Sequence, residues 1–263
     1  MTTSKLLLLA LPLAALAVPA SANNLVLPNA CLASDCPGAL PIVSGVLAIE
    51  LQQIYASTLF TGITGPINIT GIALRPSPNV SGIINSANTA TSADLTGTVE
   101  AETTNVNPNA GCQLPTNTGC TYTSPLSLVG ATTVFSGTQL LTTSNTGSPR
   151  GFDYVINFTT PFQYNPTTGL NLVLDLALPL NSLSNANGNV VMEAIGGNNR
   201  QSGVGAVIPQ FATIFQPTQQ SGLVTEVIYS NVSTGVPEPA SIVLLGGGLA
   251  MVSLLARRFV KRG

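Results

Sequence analysis

The sequence predicts an all-β fold, an antiparallel β-sandwich or jelly-roll-like body, carried between an N-terminal signal helix and a single C-terminal transmembrane helix. Three observations predict it: apolar residues alternate with polar ones in the middle of the chain, glycine and proline (25 and 19) punctuate it, and an apolar run lies at each end.

At the N-terminus, Lys5 precedes an apolar run from Leu6 to about Ala17, and Ala20-Ser21-Ala22 has the small-residue pattern that signal peptidase cleaves. Residues 1–22 therefore read as a signal peptide cut after Ala22. The run is too short to span a bilayer, and Pro12 and Pro19 would break a packed helix.

The body, 23–235, holds the alternation. Phe152, Tyr154, Ile156 and Phe158 fall on one face of a strand, with Asp153 and Asn157 on the other. Leu170, Leu172, Leu174, Leu176 and Leu178 point one way, while Asn171, Val173, Asp175 and Ala177 point the other, toward water. Thr159-Thr160-Pro161 and Asn165 to Gly169 supply the turns between them. In Ile67 to Arg75 the apolar phase shifts after Ile69, and an extra residue at Thr70-Gly71 predicts a β-bulge. Further strands are expected near 42–50, 95–102, 132–135, 190–195 and 223–229, with 51–59 either a strand or a helical turn. The Asn-, Thr-, Ser- and Gly-rich stretches 103–121 and 181–202 read as long surface loops. No internal repeat points to a solenoid or propeller.

Charge and composition narrow the chemistry. Without histidine there is no Ser-His-Asp or Cys-His pair and no imidazole metal ligand. Between Asn23 and Pro239 the only basic residues are Arg75, Arg150 and Arg200; against ten acids they leave a net charge of −7. A lysine-free acidic body has no electrostatic footprint for nucleic acid and is repelled by anionic lipid. Cys31, Cys36, Cys112 and Cys120 are expected to form local disulfides, Cys31 with Cys36 and Cys112 with Cys120, although four cysteines allow three connectivities. A zinc site fits the spacings worse.

Candidate sites are few. Glu100 and Glu102, two apart in a strand, share a face; that suits an exposed strand first, then two calcium ligands, and last a carboxylate pair for glycoside hydrolysis. Asp153 and Asp175 are expected to cap loops or to pair with one of the arginines. Phe162 and Tyr164, at a turn, are the residues best placed to stack on a sugar ring. The expectation is a non-enzymatic protein with no cofactor, calcium being the one ion to test.

The last segment, 236–263, has three parts: Pro237-Glu238-Pro239, an apolar stretch over 240–256, and a basic end with Arg257 and Arg258. Seventeen apolar residues at about 1.5 Å each sit at the lower limit for crossing a bilayer, and the basic end marks the cytoplasmic side. This tail resembles the PEP-CTERM sorting signal of Gram-negative bacteria that make extracellular polysaccharide. The resemblance implies transient anchoring in the inner membrane, recognition by an exosortase that cuts near Pro237-Glu238-Pro239, and a secreted, extracellular product in a polysaccharide or biofilm matrix. The body also resembles a recurring pattern of such ectodomains, in Gln53-Ile54-Tyr55, Ile69 to Pro76, Phe152-Asp153, Thr160-Pro161-Phe162, Tyr164-Asn165-Pro166 and Leu172 to Asp175. That likeness implies a β-sandwich or jelly roll and no particular activity. The role expected is structural or adhesive, the alternative a carbohydrate-binding module with a calcium-stabilised loop.

Overall fold

Alternating β-branched and polar residues form ladders rather than helices, and the strands they form are mostly antiparallel. The computed structural model describes residues 22–36, 38–42, 49–77, 92–106, 127–144, 146–186, 190–194, 204–207 and 222–232. In chain order the strands among them are β1 (Asn23–Leu27), β2 (Gly38–Ile42), β3 (Ile49–Tyr55), β4 (Ile67–Leu74), β5 (Ser92–Thr104), β6 (Thr132–Thr142), β7 (Tyr154–Tyr164), β8 (Asn171–Leu178), β9 (Leu183–Ser184), β10 (Val190–Ala194), β11 (Val204–Val207) and β12 (Thr225–Asn231). The chain divides into a body, Met1–Ser230, and a C-terminal unit, Asn231–Gly263, of which only residues 231 and 232 are described. Among the described residues no helix is long and apolar enough to cross a membrane; both apolar ends of the sequence lie outside them.

One sheet orders its strands β1-β12-β4-β7; a larger one runs β11-β3-β8-β5-β6, with β9 beside β5; β10 and β2 form a pair of their own. A single apolar core draws on both larger sheets. It takes Ile67, Ile69, Ile72 and Leu74 from β4 and Tyr154, Ile156 and Tyr164 from β7. Leu172, Leu174, Leu176 and Leu178 come from β8, and Val99 and Ala101 from β5. Each such aliphatic side chain contributes roughly 1.5–3 kcal/mol by leaving water.

The phase shift in β4 is real, and its cause lies partly in the neighbouring strand. Ile69 pairs with Phe162, but Gly71 pairs with Asn157, so the register breaks at Thr70. The surplus residues belong to β7: Phe158 to Pro161 pass opposite Thr70 alone. Pro161, lacking an N–H, suits such a break. Thr159-Thr160-Pro161 is thus no turn between strands, since β7 runs through it to Tyr164. A second irregularity lies between β5 and β6, where Val99 faces Phe135 and Glu100 faces Thr133, leaving Val134 as the extra residue.

The expectation of a wet second face on β8 is not met. Val173 and Asp175 are both buried, and Ile54 and Gln52 on the same face of neighbouring β3 are buried too. The stretch 51–59 resolves into both alternatives, the rest of β3 and then one 3-10 turn over Ser57–Leu59. β10 is the strand expected near 190–195, but the loop expected over 181–202 also contains β9, and β1, β2 and β11 are strands the sequence did not announce.

At the β4 break, backbone approaches too closely for a side chain. A Cβ on Gly71 would stand 2.9 Å from the Ile156 carbonyl oxygen, whereas one on Gly65 would meet nothing within 4 Å. Gly71→Ala is expected to lower stability by about 1–3 kcal/mol through overpacking, and Gly65→Ala to change it by under about 0.5 kcal/mol, read as urea midpoints. Equal midpoints for the two variants would contradict the close approach.

Candidate functional site

A charged side chain in an apolar strand must find partners or move to the surface, and Arg75 and Glu193 find each other. Arg75 follows Leu74 at the end of β4, and Glu193 lies within the apolar run Val190-Val191-Met192-Glu193-Ala194 of β10. Their relative exposures are 2% and 0%, among the lowest of any charged residues described. Beyond Leu74 and before Thr225, β4 and β12 lead into segments that both bond to β10. Glu193 N–H donates to the Arg75 carbonyl at 2.7 Å, Ser77 N–H to that of Val191 at 3.0 Å, and Val224 N–H to that of Glu193 at 3.1 Å. This lacing sets the two side chains together, with Arg75 Nη1 3.2 Å from Glu193 Oε2.

The remaining partners come from one short loop. Cys31 and Cys36 are joined by a disulfide, with Cα atoms 5.6 Å apart. Arg75 Nη1 donates to the Cys31 carbonyl at 2.8 Å and to that of Ser34 at 3.3 Å, and lies 3.9 Å from Asp35 Oδ1. The Cys36 N–H donates to Glu193 Oε1. Asp35 Oδ1 also accepts the Arg150 N–H at 3.1 Å, and the Arg150 guanidinium reaches the Ser77 carbonyl. The Phe152 ring lies 4.3 Å from Arg75 Cζ, a cation–π contact. Burial raises the Glu193 carboxyl, while the Cys36 N–H and then Arg75 pull it back. A buried pair of this kind costs several kcal/mol per ion in desolvation and holds only when well supplied with hydrogen bonds.

A second polar cluster lies on the buried outer face of the larger sheet. Register sets Gln52, Asp175, Glu100 and Thr133 in one row across β3, β8, β5 and β6. Asp175, 7% exposed, accepts Gln52 Nε2 on Oδ2 at 2.7 Å. Its Oδ1 meets no N–H or hydroxyl donor. Glu50 lies two residues from Gln52 on the same face, near enough for its carboxyl and that of Asp175 to act on each other. Burial raises Glu50 first, followed by the charges of Asp175 and Glu100. Burial likewise dominates the rise of Asp175, against the pull of Gln52.

Glu100 and Glu102 share the outer face of β5, as their spacing requires. Glu100 Oε1 accepts Thr133 Oγ1 at 3.3 Å and Glu102 Oε1 accepts the Gly130 N–H at 3.2 Å. Among the described residues no three acidic or cysteine side chains converge to hold a metal. Tyr164 is not at the surface: its hydroxyl donates to the Leu170 carbonyl at 2.8 Å, and its ring meets Phe60 edge-on at 4.8 Å. Phe162 is half-buried at the core margin, beside exposed Pro161 and Gln163. Among the described residues Asp153 and Asp175 form no ion pair with an arginine; Asp153 accepts Thr143 Oγ1 at 2.6 Å, and Arg75 goes to Glu193 and Asp35. Ala22 is exposed and directly precedes β1. Cys112, Cys120, Pro237, Glu238, Pro239, Arg257 and Arg258 lie outside the described residues.

Compared with protein-family models, curated proteins and solved structures, the chain matches none. The assignment of a role therefore rests on the residues themselves. Sequence reasoning passed over Arg75 with Glu193, although a lone charge in each of two apolar strands was a visible signal. It also passed over Glu50, whose neighbour across the sheet only the register reveals.

The raised carboxyls give stability a definite pH dependence. Between the ordinary carboxyl values and the raised ones, the folded chain holds more protons than the unfolded chain, so stability falls as pH rises. The urea midpoint is expected to drop from about pH 4 upward, the ordinary carboxyl range. Asp175→Asn, which keeps an acceptor for Gln52, should flatten the slope by up to about 1.4 kcal/mol per pH unit, one proton's worth. A midpoint rising with pH, or an unchanged slope in the variant, would contradict the raised Asp175 carboxyl.

Proposed function

We propose that the chain is an exported, non-enzymatic protein with a structural or adhesive role in an extracellular polysaccharide layer. Its body is a β-sandwich, and its tail is processed by an exosortase-type enzyme. The observation that carries this reading is the tail, with Pro237-Glu238-Pro239, the apolar stretch over 240–256 and the arginines 257 and 258 in that order. Three further features support it. The Cys31–Cys36 disulfide is a bond that persists in oxidising compartments. Two antiparallel sheets feeding one apolar core favour a sandwich. The acidic, lysine-free body favours neutral glycan or protein partners over nucleic acid.

A second reading, a carbohydrate-binding module, draws on Phe162, a half-buried ring beside the exposed Thr160, Pro161 and Gln163 of β7. An apolar ring flanked by amide and hydroxyl groups suits the two faces of a sugar. Loss of retention on a polysaccharide column by Phe162→Ala would select this reading over the first.

Processing is tested in a host that carries the exosortase. The wild-type protein is expected outside the cell, with an intact mass that begins near Asn23 and ends near Pro237-Glu238-Pro239; the Glu238→Ala protein should stay membrane-bound with its tail. Wild-type amounts of trimmed, extracellular Glu238→Ala protein would overturn the sorting reading.

A further inference from the structure

The disulfide loop does more than close six residues. Cys31, Ser34, Asp35 and Cys36, all within it, face the buried Arg75–Glu193 pair, through two carbonyls, one N–H and one carboxylate. A backbone segment so short holds those four groups in register only if its ends are fixed. Cys31 is itself buried in the core cluster, and Cys36 packs against it. The Cys31 sulfur is thus reached by another protein only while the loop stands away from the core, Cys36 being partly buried. Oxidation must come first and docking second.

We infer that the Cys31–Cys36 loop is a redox-controlled latch on folding, closing over Arg75 and Glu193 only after the two thiols have been oxidised. The oxidant it needs is a protein disulfide. One cysteine thiolate attacks that disulfide, forming a mixed disulfide and releasing one thiolate of the donor. The second cysteine thiolate then attacks the mixed disulfide, closing Cys31–Cys36 and leaving the donor as a dithiol, two electrons reduced. With the loop open, the two buried charges lose most of their hydrogen-bond partners, a strongly unfavourable state. The segments that meet at β10 stay loose until the chain reaches an oxidising compartment. Once docked, the bond is shielded on its Cys31 side, which slows reductants and favours the closed latch.

This inference takes its cellular meaning from the export reading, and the two fail separately. Amide exchange reads the latch in the purified full chain, whereas the mass of the extracellular protein reads export. In Cys31→Ser/Cys36→Ser, the amides of Ser77, Glu193 and Val224 are expected to exchange at least tenfold faster than in the oxidised wild type. Those of β5 and β8 should stay within twofold. Unchanged exchange at the three amides, or equal acceleration in every strand, would overturn the latch. Should the serine variant fail to fold, adding Arg75→Met/Glu193→Leu is expected to restore folding, because the charges that need the loop are gone. A charge-free chain still as dependent on the disulfide as the wild type would overturn the inference as well.

Discussion

A guanidinium and a carboxylate taken out of water together set the terms for one end of this molecule. Arg75 and Glu193 lie where β4, β10 and β12 meet, and neither reaches solvent. Three separate parts of the chain must be in place before the pair gains its contacts: the end of β4, the middle of β10, and the loop from Cys31 to Cys36. A buried ion pair adds little net stability compared with apolar residues of the same size, yet it penalises any arrangement in which one partner is missing. Its effect here is to tie these distant segments to one another.

The larger sheet answers a related problem differently. Glu50, Asp175 and Glu100 crowd one partly buried face with no arginine among them in the described structure. There burial pushes the Glu50 and Asp175 carboxyls up, and Asp175 is met by the Gln52 amide rather than by a counter-charge. Both solutions follow from a body with ten acids and three arginines. Counter-charge is scarce, and the more deeply buried of the two described arginines, Arg75, is used at the junction of segments.

Much of the fold was legible because alternation with a period of two is a local property. The apolar rows of β7 and β8, the break at Thr70 and the even positions of β5 could all be read from residue order. What escaped is what depends on neighbours. Asp175 looks like a solvent-facing residue along its own strand, and only its burial beside Gln52 and Val173 shows otherwise. Tyr164 looks like a turn residue because Pro161 and Pro166 flank it, but β7 carries it into the core. Pro161 itself imitates a strand end, since a proline in a bulge and a proline in a turn have the same sequence. The pairing of Arg75 with Glu193 spans 118 positions, and no short-range rule reaches so far. The local pairing of Cys31 with Cys36, by contrast, needed only their spacing.

The central physical claim is that Arg75 and Glu193 act as one unit, and a double-variant cycle tests it most directly. Urea unfolding would be compared for the wild type, Arg75→Met, Glu193→Leu and the two combined. The account predicts that each single change costs about 3–5 kcal/mol, the penalty for stranding one buried charge. The combined variant should cost far less than their sum, because nothing is left stranded. Single costs that simply add would show the two residues to be independent, and would remove the pair from the centre of this structure.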